Sequence, residues 1–247
     1  MLIIPSVIMY SPRVDIYVGK GEKAFTIDKD LLALHSQYFR NRFAEASENE
    51  QFALPHVKEE HFIFFKSWLY TGDWLHIGNA LSTPTTGEEL WALGTFLKAP
   101  AFQNYCMDDI RQDAKNERNH WVYIKSVESV YKVSKKNSML RKFTADVLCC
   151  HNPFDKHKPG SKDREDWERL MDRCHEIAVD MAKAAVKKWN GTNPWDDEHR
   201  GSYMEEEVPL GDLWEQQILS RRSRADIEKA AKAKCIRSVI ELEHLKR

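Results

Sequence analysis

Phe25-Thr26-Ile27-Asp28-Lys29-Asp30-Leu31-Leu32-Ala33-Leu34-His35-Ser36-Gln37-Tyr38-Phe39 is the stretch on which the fold turns. Phe25 and Ile27 alternate with Thr26 and Asp28, the period of two of a strand with one buried face. From Leu31 the spacing changes. Leu31, Leu32, Leu34, Tyr38 and Phe39 cluster at helical intervals, so Leu31 to Phe43 is predicted as one helix. Burying Leu32, Tyr38 and Phe39 stabilises a fold by about 1.5 to 3 kcal/mol each. The small Ser36 between them permits close packing. These are residues of packing, and none of them builds a nucleophile, a metal cage or a phosphate loop.

Upstream, Val14-Asp15-Ile16-Tyr17-Val18 alternates in the same way and ends at Gly19-Lys20-Gly21, a turn composition. With Ala24 to Ile27 it predicts a β-hairpin. Downstream, Phe52-Ala53-Leu54 is a short candidate strand before Pro55. Glu59 to Tyr70 is a helix with Phe62, Phe65 and Leu69 on one stripe, stopped by Thr71-Gly72. Trp74 to Thr86 is a loop. Thr85 and Thr86 each precede a glutamate by three residues, the spacing of a capping box, and open a helix whose stripe is Leu90, Leu93 and Leu97. Pro100 suits the first turn of the next helix, which buries Phe102, Tyr105, Cys106 and Ile110.

Beyond residue 116 the pattern is all-helical. Trp121, Ile124, Val127 and Tyr131 form one stripe, and Leu140, Phe143, Val147 and Leu148 another. His151 to Ser161, with two prolines and a glycine, is a break. The run on to Trp189 is predicted as one long amphipathic helix with Trp167, Leu170, Met171, Cys174, Ile177, Ala178, Met181, Ala185 and Trp189 on one face and Gly191 as its C-cap. Asn193 to Gly211 is irregular. A last helix from Ser223 has a narrow stripe of Ile227, Ala231, Cys235, Val239 and Leu242, which suits a partner-binding or oligomerising element.

Composition narrows the function classes. The 247 residues are 42% hydrophobic and 11% aromatic, enough for a core. Lys and Arg (37) nearly balance Asp and Glu (38), a net charge of −1 that gives no global steering toward nucleic acid or anionic membrane. Five cysteines without framework spacing fit a reduced intracellular protein, cytoplasmic or nuclear. The apolar Met1 to Tyr10 lacks the basic flank of a signal peptide and is too short to span a bilayer, so no membrane association is expected.

Several separated blocks, in order, resemble the BTB/POZ domain. Val14-Asp15-Ile16 is similar to its first core strand. Phe25-x-Ile27-x-Lys29-x-x-Leu32-x-x-x-Ser36-x-Tyr38-Phe39 fits its central motif. Phe62 through Tyr70-Thr71-Gly72 is similar to its helix ending in Tyr-Thr-Gly, and Leu90 through Cys106 to the helix pair that follows. Asp28 stands where the family commonly has histidine, and Phe43 to Leu54 is shorter than in versions that bind cullin scaffolds. Residues 116–190 are similar to the extension of BTB proteins from filamentous fungi.

The resemblance implies an α+β fold, a BTB/POZ-like domain of a small sheet capped by helices, followed by an all-helical extension. The divisions are 11–115 for that domain, 116–190 for the helical extension, 191–211 for an irregular linker and 212–247 for a C-terminal helical tail. Its fold-signature residues are Phe25, Ile27, Leu32, Ser36, Tyr38, Phe39, Tyr70 and Gly72. Implied function is non-enzymatic: protein–protein interaction, with self-association and a possible cullin scaffold as partner. The apolar Leu2, Ile3, Ile4, Val7 and Ile8 could add a strand across a dimer interface or pack on their own domain. Asp15 and Lys29 are the candidate interaction residues, corresponding to charges in a pocket at the family's dimer interface; a plain surface salt bridge is the alternative.

Other chemistry is weakly signalled. Cys149-Cys150-His151 and Cys174-His175 lack the paired spacing of zinc ligands, and buried thiols explain them better. Glu59-Glu60-His61 lacks the second histidine of a metalloprotease helix. His35 reads as a partly buried helix residue, and Asp196 to His199 as solvated charge. No catalytic, metal or cofactor site is expected. Lys132, Lys135, Lys136, Arg141 and Lys142, with Arg221, Arg222, Arg224 and Lys229, read as solvated helix faces. The competing function is a BTB-containing transcriptional or chromatin cofactor that contacts nucleic acid through those helices.

Overall fold

The computed structural model of the chain describes residues 11–21, 23–46, 51–74, 77, 86–116, 123–187 and 189–207. Strand β1 (Arg13–Val18) turns through Gly19, at φ +76°, into the antiparallel β2 (Lys23–Asp28). β3 (Phe52–Leu54) pairs parallel to β1, Ile16 opposite Phe52, so the sheet order is β2-β1-β3. Ile16, Val18, Phe25, Ile27, Phe52 and Leu54 all point to one buried face, as the alternation requires.

The predicted helix from Leu31 to Phe43 is two helices. α1 (Lys29–His35) ends at Ser36, whose φ −136° and ψ 113° are extended, and α2 (Gln37–Glu45) starts immediately after it. The Ser36 hydroxyl accepts from the Phe39 N–H, which caps α2 and competes with continued helix. Arg40, itself buried, turns back to donate to the carbonyls of Ala33 and Leu34 and so satisfies the buried C-terminal end of α1. Continuous apolar spacing hid this break.

α3 (Glu59–Thr71) lays Phe62, Phe65 and Leu69 against the sheet, with the Phe25 and Phe62 rings edge-on at 5.1 Å. Gly72, at φ +80°, takes the left-handed C-cap position. α4 (Gly87–Leu97) starts as its sequence predicts, with Thr86 accepting from the Glu89 N–H, and α5 (Pro100–Asn116) starts at its proline. The two pack closely at Gly94, where a Cβ would lie 2.5 Å from Gln103 Cγ. Of the Trp74 to Thr86 loop, only Trp74, Ile77 and Thr86 lie within the described residues.

The rest is helical: α6 (Ile124–Val133), α7 (Met139–Cys150), α8 (Pro153–Lys156), α9 (Lys162–Arg173) and α10 (His175–Ala184). The predicted break from His151 to Ser161 contains α8, a single turn capped by Asn152. The single helix predicted up to Trp189 is broken at Cys174, which ends α9 and begins α10 at φ −131°. Trp167, Leu170 and Ile177 are buried as expected, whereas Ala178 and Ala185 are exposed because the break rotates the second half. Gly191 has φ +88° but lies beyond the helix end, whose C-cap is Ala185. The tail from residue 212 and the N-terminal residues 1–10 lie outside the described residues.

The connection after residue 190 is irregular, with a 3-10 segment at Asp197–Tyr203, but up to Glu207 it is packed rather than free. Trp195 and Tyr203 are buried in the same core as α6, α7 and α9. This strap crosses onto α5: Arg111 donates to the carbonyls of Trp195 and Asp196, Arg200 pairs with Asp108 at 2.7 Å, and Asn104 donates to the carbonyl of Glu205.

Candidate protein-interaction surfaces

The signature residues converge. Phe39 stacks near Phe43 at 5.7 Å and meets Tyr38 edge-on, while Leu32 and Ile27 are fully buried beside them. Ser36 joins this cluster to the second helix pair, because its hydroxyl donates to the Leu97 carbonyl at 2.6 Å. Tyr70 reaches from the end of α3 to the end of β2, donating to Asp28 at 2.7 Å and accepting from the Asp28 N–H. Burial comes first among the causes that raise the Tyr70 pKa, so its hydroxyl stays a donor. Asp28 is thereby the strand-end partner of Tyr70.

Asp15 and Lys29 are not brought together. Asp15, exposed on β1, accepts from the Thr26 hydroxyl across the hairpin at 2.5 Å. Lys29 starts α1 and holds its ammonium 5.1 Å from the centre of the Phe43 ring, a cation–π geometry. The apolar opening on this half of the chain is elsewhere. Phe96 packs against Tyr38 with ring centres 5.1 Å apart and remains 46% exposed. Its place in the α4 block gave no hint of exposure, because the neighbouring Leu93 and Leu97 are buried.

His35 is more buried than its sequence context suggests, 6% exposed, with its ring edge-on to Trp68 at 5.2 Å. Burial, then the charge of Arg40, lowers its pKa to about 4, so it is a neutral core residue at physiological pH. His61 pairs with Glu89 at 3.4 Å, and Lys58 reaches the same carboxylate at 2.8 Å.

The basic cluster on α6 and α7 is divided. Lys132, Lys135, Lys136 and Lys142 are exposed, but Arg141 is buried, a correction to its reading as part of a solvated face. It donates to the carbonyls of Tyr131 and Ser134 and to Glu176, closing α6, α7 and α10 around one guanidinium. Arg221, Arg222, Arg224 and Lys229 lie outside the described residues.

Cys106 is fully buried and burial pushes its thiol pKa well up; Cys149 and Cys150 are half-buried, and burial raises theirs, that of Cys150 to about 11. Cys174 sits at a helix junction rather than on a helical face. Among the described residues no three His, Cys, Asp or Glu side chains are grouped to hold a metal ion. Among the same residues no helix is long and apolar enough to cross a membrane.

A buried polar centre that the sequence did not disclose lies in the extension. Asp146, 1% exposed, accepts from Tyr203 at 2.8 Å and pairs with Lys187. It ties the strap and the end of α10 to α7. A single acid within the apolar run Ala145 to Leu148 carries no signal of this, since both partners come from distant segments.

Comparison with curated proteins finds no match to the chain. The family model described as the BTB/POZ domain matches residues 12–114, the span from just before β1 into the last turn of α5. That span contains the three-stranded sheet, the Ser36-centred helix pair and the α4–α5 pair; the blocks that carried the resemblance supply the β1–β2 hairpin and both helix pairs, and β3 completes the sheet. Residues 12–114 of this chain are a BTB/POZ domain, a protein-interaction fold, and a helical extension follows it.

Proposed function

We propose that the chain is a non-enzymatic scaffold whose BTB/POZ domain self-associates and recruits a protein partner, with the helical extension as a second binding surface. The BTB/POZ match over residues 12–114 is the observation that carries this reading. The exposed face of Phe96 beside Tyr38 supports it, as an aromatic surface open for contact on that domain. Recruitment of a substrate to a cullin-based ubiquitin ligase is the specific role put forward. Its test is affinity capture from native cell extract with the full chain and with residues 11–115 removed. Recovery of a cullin only with the full chain is expected; recovery of none removes the ligase role and leaves the scaffold.

The nucleic-acid cofactor reading is the weaker one. Arg141 spends its guanidinium on carbonyls and Glu176, and Asp146 and Asp180 sit among the lysines of the same face. Salt-dependent binding to arbitrary duplex would revive it.

A further inference from the structure

Between α7 and α10 runs a groove of about 280 Å³. Ala145 and Ala184 give it an apolar floor, and Lys142, Lys183 and Lys187 line it with Asp146 and Asp180. Counting Arg141, four cations face two carboxylates. Arg141 and Lys187 are already paired, with Glu176 and Asp146. Lys183 is the more open: its side chain is 59% exposed and it pairs with Asp180, a turn away at 3.3 Å. Exposed Lys135 and Lys136 continue the positive charge past Asn137 at one end of the groove.

Two further features narrow the occupant. Asp146 lines the groove, yet its Oδ1 is buried without a hydrogen-bond partner among the described residues, while Oδ2 serves both Tyr203 and Lys187. A lone buried acceptor calls for a donor such as a peptide N–H. Val179 on α10 and Val186 just past its end are exposed, a row one step around from Lys183. A phosphate backbone would meet two carboxylates beside the three lysines and would offer neither N–H donors nor apolar side chains. A polypeptide that offers carboxylates, N–H groups and apolar side chains meets all three features.

We propose that the α7–α10 groove is the docking site for an acidic, apolar-containing segment of a partner protein. It deepens the scaffold reading and rests on it, placing partner recognition on the extension and leaving the BTB/POZ domain to self-association. The test is fluorescence anisotropy on the full chain, with a short fluorescein-labelled peptide of Glu and Leu as probe and its Lys and Leu counterpart as control. Saturable binding of the acidic probe alone is expected, weakening steeply from about 0.05 to about 0.5 M salt. Lys183→Glu should weaken it about tenfold, and Lys132→Glu, an exposed reversal on α6 outside the groove, by less than about twofold. The melting temperature of Lys183→Glu should fall by no more than a few degrees, since the lysine of its pair with Asp180 is exposed. Equal binding of both peptides, or indifference to Lys183→Glu, overturns the proposal. Light scattering on the same samples separates the two readings. A self-associating chain that ignores the acidic probe overturns the groove alone, and a monomer that binds it overturns the self-association alone.

Discussion

The Ser36 hydroxyl donates to the Leu97 carbonyl at 2.6 Å and accepts from the Phe39 N–H at 3.3 Å, so one buried side chain both caps α2 and fastens it to α4. The backbone repeats the link one residue on, where Gln37 N–H donates to the Lys98 carbonyl. Ser36→Ala removes the cap and leaves a carbonyl of the last turn of α4 without that donor. A loss of about 2 to 4 kcal/mol is expected, read by urea unfolding. Ser36→Thr, which keeps the hydroxyl, should lose less.

His35 makes stability fall in mild acid. Its folded pKa is about 4 against 6.5 unperturbed, so between these values the unfolded chain binds more protons than the folded one. Its contribution is fully present above pH 6.5 and is lost as pH falls toward 4, about 3 kcal/mol in all. Thermal melts from pH 7 to 4 should show the decline, and His35→Phe should flatten it.

Asp109 acts in the opposite sense. Burial first, then the neighbouring charges of Asp113 and Glu88, raise its pKa to about 6. The folded state therefore holds the proton more tightly, and the ionised carboxylate destabilises the fold above pH 6. Asp109→Asn should raise the melting temperature at neutral pH, with the gap closing as pH approaches 3.8.

Arg111 holds the strap. It is buried on α5 and donates to two consecutive strap carbonyls at 3.0 and 2.9 Å. Arg111→Leu strands both acceptors and should cost about 1 to 3 kcal/mol. Limited proteolysis should then cut first within residues 189–207, where the parent resists.

The strands, the starts of α3, α4 and α5 and the core stripes of the BTB/POZ domain were legible because each rests on a local signal. Ile16 and Val18 alternate, Thr86 precedes Glu89 by three residues, and Pro100 opens α5. Helix breaks were not. Ser36 and Cys174 interrupt runs whose apolar spacing is continuous, and only a tertiary partner such as Leu97 makes the break at Ser36 stable. The strap escaped for a related reason. Trp195 and Tyr203 are isolated aromatics in polar sequence, and their burial depends on α5 and α7 being in place. Exposed features were the hardest: Phe96 lies in a helix whose other large residues are buried, and the groove needs α10 turned by the break at Cys174.

Self-association of the full chain is measured most directly by light scattering coupled to size-exclusion chromatography at micromolar concentration. A mass of twice the 28.9 kDa chain is expected, shifting toward the monomer for Phe96→Glu. A single species at 28.9 kDa throughout would contradict it.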